Sequence, residues 1–122
     1  MSARILVVDD LEANRRLLEA KLTAEYYEVL LACRGEEAVQ RSKREQPDLI
    51  VLDVMMPGGI DGFEACRRIK AQPETRHIPV IMCTTLDDQD SKVRGLQAGA
   101  EDFITKPIDD VHLLARVKNL LS

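Results

Sequence analysis

Short apolar runs alternate with longer amphipathic stretches along the whole chain. The runs occupy residues 5–8, 29–32, 49–52, 80–83 and, more weakly, 103–105. Each run is nearly continuous rather than alternating, which is typical of strands buried on both faces of a parallel sheet. The pattern therefore predicts five buried strands.

The stretches between and after these runs are predicted to form five helices. They cover about residues 12–25, 36–46, a segment opened by Asp61 and Gly62, 89–98 and 110–121. Helical spacing assigns Leu11, Leu17, Leu18 and Leu22 to one broad apolar face of the first helix. The second helix has few large apolar residues. Gly99 is suited to end the fourth helix in the left-handed conformation.

Five repeats of strand and helix predict a doubly wound α/β fold, with a five-stranded parallel sheet and helices on both faces. The 122 residues are enough for one domain, which we expect to cover residues 1–122. Open sheets of this class bind ligands beyond the carboxyl ends of their strands, where the strand order reverses.

Four of the five apolar runs end in charged or reactive side chains, and a parallel sheet brings these ends to one edge. The residues are Asp9 and Asp10 after the first run, Asp53 after the third, Thr84 and Thr85 after the fourth, and Lys106 and Pro107 after the fifth. Three carboxylates, a hydroxyl and an ammonium are thus predicted to share one pocket.

Crowded carboxylates repel one another, and a hard dication relieves that repulsion. Mg²⁺ takes oxygen ligands, commonly one or two carboxylates together with phosphate oxygens. Lys106 and Thr84 supply a cation and a donor for such oxygens, so the set favours phosphoryl transfer. Asp53 stands alone after the central run and is the expected nucleophile, whereas Asp9 and Asp10 form a metal pair.

Composition narrows the remaining choices. The formal net charge of −4 disfavours nonspecific nucleic-acid binding, which depends on Lys and Arg. The first apolar run stops at two aspartates, so it is neither a signal peptide nor a membrane span. Three widely spaced cysteines predict neither a disulfide framework nor a zinc site, and a cytoplasmic location is expected. Met55, Met56 and Met82 are expected to be packing residues.

The set ILVVDD, DLIVLDVMMPG, DGF, PVIMCTT and GAEDFITKP resembles the receiver domains of two-component response regulators. The opening MSARILVVDD and the tail TKPIDDVHLLARV resemble in particular the receivers of PleD-type regulators, which carry a diguanylate cyclase output domain. The resemblance implies the flavodoxin-like strand order 2-1-3-4-5. It also implies phosphorylation by a histidine kinase or phosphotransfer protein, with any output enzyme activity outside this chain.

The resemblance assigns a metal role to four residues. Asp53 is implied to be the phosphoacceptor and a Mg²⁺ ligand, and Asp10 a direct ligand. Asp9 would act mainly through metal-bound water, and the backbone carbonyl of Met55 would be a further ligand.

The resemblance also implies a switch. Thr84 and Lys106 would contact the phosphoryl group, and the aromatic ring of Phe103 would follow the movement of Thr84. Pro107 would follow a cis peptide bond, which is accessible almost only before proline. The face made by the fourth helix, fifth strand and fifth helix would then bind a partner, an output domain or a second copy.

Three features depart from the common pattern or refine it. The stretch MMPGGIDG has one extra residue between Pro57 and Asp61, which two glycines are expected to absorb. Thr85 stands where a smaller residue is usual. Met55 and Leu86, two residues beyond Asp53 and Thr84, are apolar and cannot orient a water, which predicts slow loss of the phosphoryl group.

Three alternative functions are disfavoured by particular residues. An aspartyl-phosphate hydrolase would need a carboxylate at position 55, which is Met. A flavodoxin-like cofactor binder would need a Gly/Ser/Thr-rich loop after the first strand, where Asp9 and Asp10 stand. A degenerate receiver acting as a phosphorylation-independent interaction module is disfavoured by the intact acidic set.

Overall fold

The computed structural model describes residues 2–85 and 89–122. These residues form five strands and five helices in strict alternation. Their bounds are β1 (Arg4–Val8), α1 (Glu12–Thr23), β2 (Glu28–Ala32), α2 (Gly35–Glu45), β3 (Leu49–Asp53), α3 (Gly62–Ala71), β4 (Val80–Thr84), α4 (Gln89–Ala98), β5 (Asp102–Thr105) and α5 (Asp110–Leu121). The predicted α/β alternation is confirmed.

All strand pairs are parallel, and the strand order is β2-β1-β3-β4-β5, as expected. The order reverses between β1 and β3, which lie side by side although α1, β2 and α2 separate them in the chain. In this register Asp53 lies level with Cys83 on β4, and Thr84 lies level with Thr105 on β5. The carboxyl ends of the strands therefore form one edge, at the switch point where such folds bind ligands.

The three central strands and the two edge strands differ in burial. Every residue of β3 and β4 is buried, and so is β1 beyond Arg4. The edge strands β2 and β5 are only partly buried, and each has a single buried residue, Ala32 and Ile104 respectively. The prediction that all five strands are buried on both faces was therefore wrong for the two edges, because a helix layer covers an edge strand incompletely.

Helices on both faces of the sheet complete two apolar layers. Leu6 and Val8 of β1 point toward α2 and α3, whereas Ile5 and Val7 point toward α1 and α5. Side chains alternate across a strand, so each central strand contributes to both layers. The continuous apolar runs in the sequence reflect this double burial.

The first helix is shorter than predicted, and its apolar face is narrower. α1 ends at Thr23, and Tyr26 adopts a positive φ of 68° that turns the chain toward β2. Leu18 and Leu22 are buried as expected, but the side chains of Leu11 and Leu17 are 57% and 55% exposed. Helical spacing assigned all four to one buried face, and only half of that face meets the sheet.

Small residues pack the second helix against its neighbours. Its buried positions are Gly35, Ala38 and Ser42, and the Ser42 hydroxyl donates to the Ala38 carbonyl at 2.6 Å. Gln46 then ends the helix in the left-handed conformation. The lack of large apolar residues noted in the sequence therefore reflects close approach of this helix.

The lengthened loop after β3 uses its two glycines differently. Gly58 takes the extra turn with a φ of +91°, where a side chain would be strained. Gly59 leaves room for the carboxylate of Glu36, which accepts a hydrogen bond from the Ile60 N–H at 3.3 Å. The loop is thereby tied to the start of α2 before Asp61 caps α3.

The three cysteines differ in burial. The three cysteines are free thiols, with Cys66 and Cys83 buried and Cys33 exposed. Burial raises the pKa of Cys66 to about 11 and that of Cys83 to about 12. No helix in the described ranges is long and apolar enough to cross a membrane.

Replacing Gly62 with Ala is expected to lower the free energy of unfolding by about 1–3 kcal/mol, although Ala is normally the better helix former. A Cβ there would overlap the Asp53 carbonyl oxygen and lie 2.8 Å from the Val54 Cα. Urea unfolding measures the loss. Gly58→Ala is the control, because its Cβ meets nothing within 4 Å and only backbone strain opposes it. An equal or milder effect at Gly62 would contradict the packing argument.

Candidate functional site

Three carboxylates meet at the edge of the sheet where the strand order reverses. Asp9, Asp10 and Asp53 each offer an oxygen, and these oxygens all lie within 4.8 Å of one another. Asp9 and Asp53 are almost fully buried, at 1% and 4% exposure, and Asp10 is half-buried. The sequence prediction that these residues come together is confirmed as geometry.

Lys106 enters the same pocket from the end of β5. Its ammonium lies 3.2 Å from Asp9 Oδ2 and 3.1 Å from Asp53 Oδ1. The lysine side chain is 18% exposed, whereas the two carboxylates are nearly inaccessible. One cation therefore bridges the ends of two adjacent strands, β1 and β3.

Backbone hydrogen bonds fix the direction of Asp9. Its N–H donates to the Ala32 carbonyl at 3.1 Å, which continues the pairing of β1 with β2. Its other carboxylate oxygen accepts from the Leu11 N–H at 3.0 Å, and the Arg15 guanidinium donates to its carbonyl at 2.7 Å. The turn into α1 thus presents one oxygen to the backbone and the other to Lys106.

The backbone just after Asp53 is fixed by hydrogen bonds to β4 and to the start of α3. The N–H of Val54 donates to the Cys83 carbonyl at 3.0 Å, and the Val54 carbonyl accepts from the Gly62 N–H at 3.0 Å. The Met55 N–H approaches Asp53 Oδ1 at 3.4 Å. The Met55 side chain is 58% exposed and Met56 is buried, so the expectation that Met55 packs in the core was wrong.

Thr84 lies at the end of β4, one residue beyond the level of Asp53. It is buried at 3% exposure, and its carbonyl accepts from the Lys106 N–H at 2.8 Å. The next residue, Thr85, is exposed at the surface. The hydroxyl of Thr84 and the ammonium of Lys106 therefore belong to neighbouring strands linked by a backbone hydrogen bond.

The other two residues of the predicted switch are Phe103, on β5, and Pro107, directly after Lys106. Phe103 is half-buried on β5, level with Met82 of β4. The peptide bond between Lys106 and Pro107 is cis. Leu86, the other residue named in the prediction about phosphoryl lifetime, lies outside the described residues.

Crowding decides the electrostatics of the pocket. Burial raises the pKa of the Asp53 carboxyl, the Asp9 charge raises it further, and the Lys106 pair opposes both without cancelling them. Burial alone would lower the pKa of Lys106, but its bonds to Asp53 and Asp9 outweigh that effect and raise it. The lysine therefore stays protonated, and its single positive charge does not balance the carboxylates around it.

The donor set suits Mg²⁺. One ammonium against three carboxylates leaves a negative excess, and all the ligand atoms on offer are oxygens, which hard dications prefer. Asp9, Asp10 and Asp53 are the residues that would hold the ion. The fold and this edge of the sheet together define an α/β protein with an acidic, oxygen-lined pocket at its switch point.

Comparison with known proteins assigns this chain to a family. Residues 5–118 match the family model described as the response regulator receiver domain. The chain therefore belongs to the family of response regulator receiver domains, whose members act in two-component signalling and are not themselves enzyme domains. The resemblance seen in the sequence is confirmed.

Individual relatives agree with this assignment. Response regulator PleD of Caulobacter vibrioides is 62% identical over 120 residues, covering 98% of this chain and 26% of that protein. This chain therefore spans about a quarter of the length of that relative.

Solved structures show the same fold. Chemotaxis protein CheY4 of Vibrio cholerae has a TM-score of 0.93 at 30% identity, covering 99% of this chain and 100% of that one. The receiver domain of a sensor histidine kinase from Pseudomonas aeruginosa, solved with a magnesium ion coordinated in its active site cleft, has a TM-score of 0.91 at 32% identity. It covers 99% of this chain and 98% of that one.

Sequence reasoning missed the residues that position the acidic set. Arg15 supports the Asp9 carbonyl, and Gly62 lets α3 begin against the Asp53 carbonyl. Glu36 anchors the lengthened loop. The unusual MMPGGIDG spacing was the one signal that pointed to this region, whereas Arg15 and Glu36 look like ordinary helix-surface charges.

Without Mg²⁺, Asp53→Asn is expected to gain stability over wild type as pH rises. A carboxyl whose pKa is raised in the folded state binds its proton more tightly there, so folding loses stability between the ordinary and the raised pKa. Unfolding midpoints at a series of pH values measure this, with exposed Glu74→Gln as the control.

Added Mg²⁺ should then stabilise wild type far more than Asp53→Asn. The gain is about 2.7 kcal/mol at a hundredfold excess over the dissociation constant. Parallel pH curves for the two proteins, or equal stabilisation by Mg²⁺, would contradict the crowding argument.

Proposed function

We propose that residues 1–122 form one receiver domain that is phosphorylated on Asp53, requires Mg²⁺, and acts in the cytoplasm. The donor is a histidine kinase or phosphotransfer protein. The observation that carries the proposal is the buried group of Asp9, Asp10 and Asp53 with Lys106 between two of them. Membership of the receiver family supports it.

The proposed reaction moves a phosphoryl group to one oxygen of Asp53. A bond forms between that oxygen and phosphorus as the bond from phosphorus to the donor nitrogen breaks, and that nitrogen leaves with the electron pair and takes up a proton. Asp10, Asp53, the Met55 carbonyl and, through water, Asp9 would hold Mg²⁺, which would neutralise charge on the phosphoryl oxygens.

Lys106 and Thr84 stabilise the same charge from the other side. Lys106 already contacts Asp53 Oδ1, so a phosphoryl group on Asp53 adds oxygens within its reach. Thr84 ends the adjacent strand β4, and its hydroxyl is the proposed second donor. Because Lys106 is half-buried and already bonded to Asp53, its ammonium needs little reorganisation when the charge arrives.

Phosphorylation then shifts an equilibrium between two conformations. Thr84, Phe103 and Pro107 belong to the moving part, and the face of α4, β5 and α5 binds a partner, an output domain or a second copy. Val93, Leu96 and Val111 expose apolar side chains on these helices, which supports a protein partner. The PleD-type likeness favours a diguanylate cyclase as output; the receiver catalyses only its own phosphorylation and dephosphorylation.

Intact-protein mass spectrometry after incubation with acetyl phosphate and Mg²⁺ tests the function. We expect wild type to gain one phosphoryl group, and expect none without Mg²⁺ or in Asp53→Asn. Lys106→Ala and Thr84→Ala should gain it more slowly, because each removes a donor to the transferring group.

A wild-type protein that is folded and binds Mg²⁺ yet gains nothing would sink the phosphoacceptor role. The degenerate receiver, which binds partners without phosphorylation, would then be the better interpretation. A gain that persists in Asp53→Asn would instead place the acceptor elsewhere.

Phosphorylated wild type is expected to lose its phosphoryl group slowly, because the exposed Met55 side chain beside the pocket cannot orient a water. Met55→Asn or Met55→Glu should speed the loss severalfold. Phosphate release after removal of acetyl phosphate measures the rate, with Met55→Leu as the apolar control. Equal rates for Asn and Leu at this position would refute the explanation.

A further inference from the structure

The ring of Phe103 rests on a glycine of α4. Gly95 is buried in the middle of that helix, and a Cβ built on it would overlap the Cε1 and Cζ atoms of the ring. The Cδ1 atom would lie 3.6 Å away. The aromatic ring and the helix backbone therefore touch through the space that a side chain would occupy.

Contacts with α3 also hold α4 in place. The guanidinium of Arg94 lies 4.2 Å from the centroid of the Phe63 ring and 4.0 Å from the Asp61 carboxylate. The Cys66 thiol donates to the Ala98 carbonyl at 3.4 Å. α4 is thus held to α3 near its middle and at its end.

The ring has open space on its other side. Phe103 lines a solvent-accessible cleft between α4 and α5, whose walls include Lys92, His112 and Arg116. The cleft has a volume of about 520 Å³. A ring pushed off Gly95 can therefore move into this cleft without displacing buried side chains.

We propose that Gly95 is a positioning residue that couples the Phe103 ring to α4, because its missing side chain lets the ring rest directly on the helix. The importance of this coupling for signalling rests on the proposed function, in which the Phe103 ring moves and the outer face of α4 binds a partner. A single methyl group at position 95 breaks the coupling by moving the ring into the cleft.

Fluorine NMR of protein labelled with fluorophenylalanine tests this directly. The chain has two phenylalanines, so Phe63 serves as an internal reference. We expect Gly95→Ala to shift the Phe103 resonance toward its solvent-exposed value and leave that of Phe63 nearly unchanged. Gln97→Ala, at an exposed position of the same helix, should move neither. An unchanged Phe103 resonance in Gly95→Ala would overturn the proposal.

A double-mutant cycle gives a second measurement that general damage to the helix would not mimic. In a Phe103→Leu background, Gly95→Ala is expected to raise the thermal midpoint, because Ala is the better helix former and the ring is absent. With Phe103 present, the same change should lower the midpoint or leave it unchanged. A rise of equal size in both backgrounds would show that the ring and the glycine are not coupled.

Both measurements are made without a phosphoryl donor. If Asp53 fails to accept a phosphoryl group, the proposed function fails and the coupling is still judged on its own results. If Asp53 is phosphorylated but the ring ignores Gly95→Ala, the coupling fails and the proposed function stands.

Discussion

The contact of one lysine with two buried carboxylates is the constraint around which this structure is arranged. Removing a carboxylate from water costs several kcal/mol unless a counter-charge and hydrogen bonds replace the lost hydration. Asp9 and Asp53 receive that replacement from Lys106 and from backbone N–H groups of their own turns. The replacement is incomplete, since Asp10 adds a third carboxylate. The resulting deficit of positive charge makes the pocket suited to a dication.

The fold was predictable because each strand differs so clearly from the polar residues at its carboxyl end. Residues 49–52 are apolar without interruption, and the chain turns polar at Asp53, so both the strand and its functional end can be located. The apolar runs do not by themselves show the order of the strands in the sheet. β2 has an apolar run as continuous as those of the central strands, and its partial exposure results from lying at an edge of the sheet. Leu17 shows the same limit in a helix, because spacing defines a face but not how much of it is covered.

The meeting of the carboxylates with the lysine was also predictable, and the residues that position them were not. Asp9, Asp53 and Lys106 end different strands, so a parallel sheet must bring them together. Gly62 and Gly95 act through an absent side chain beside a neighbour about eight or nine residues away, on the adjoining strand or the residue after it. The sequence does not distinguish them from a glycine in a loose loop, because the requirement appears only when helix and strand pack together.

The pairing of Lys106 with Asp9 joins residues 97 positions apart, and its pairing with Asp53 joins residues 53 apart. A chain still emerging from the ribosome, complete only through β4, contains all three carboxylates but lacks the lysine that balances two of them. Its acidic cluster is then a source of repulsion, and the non-local pairing of β5 closes the pocket only afterwards. The biosynthetic order of the chain thus keeps the acidic pocket incomplete until β5 is available.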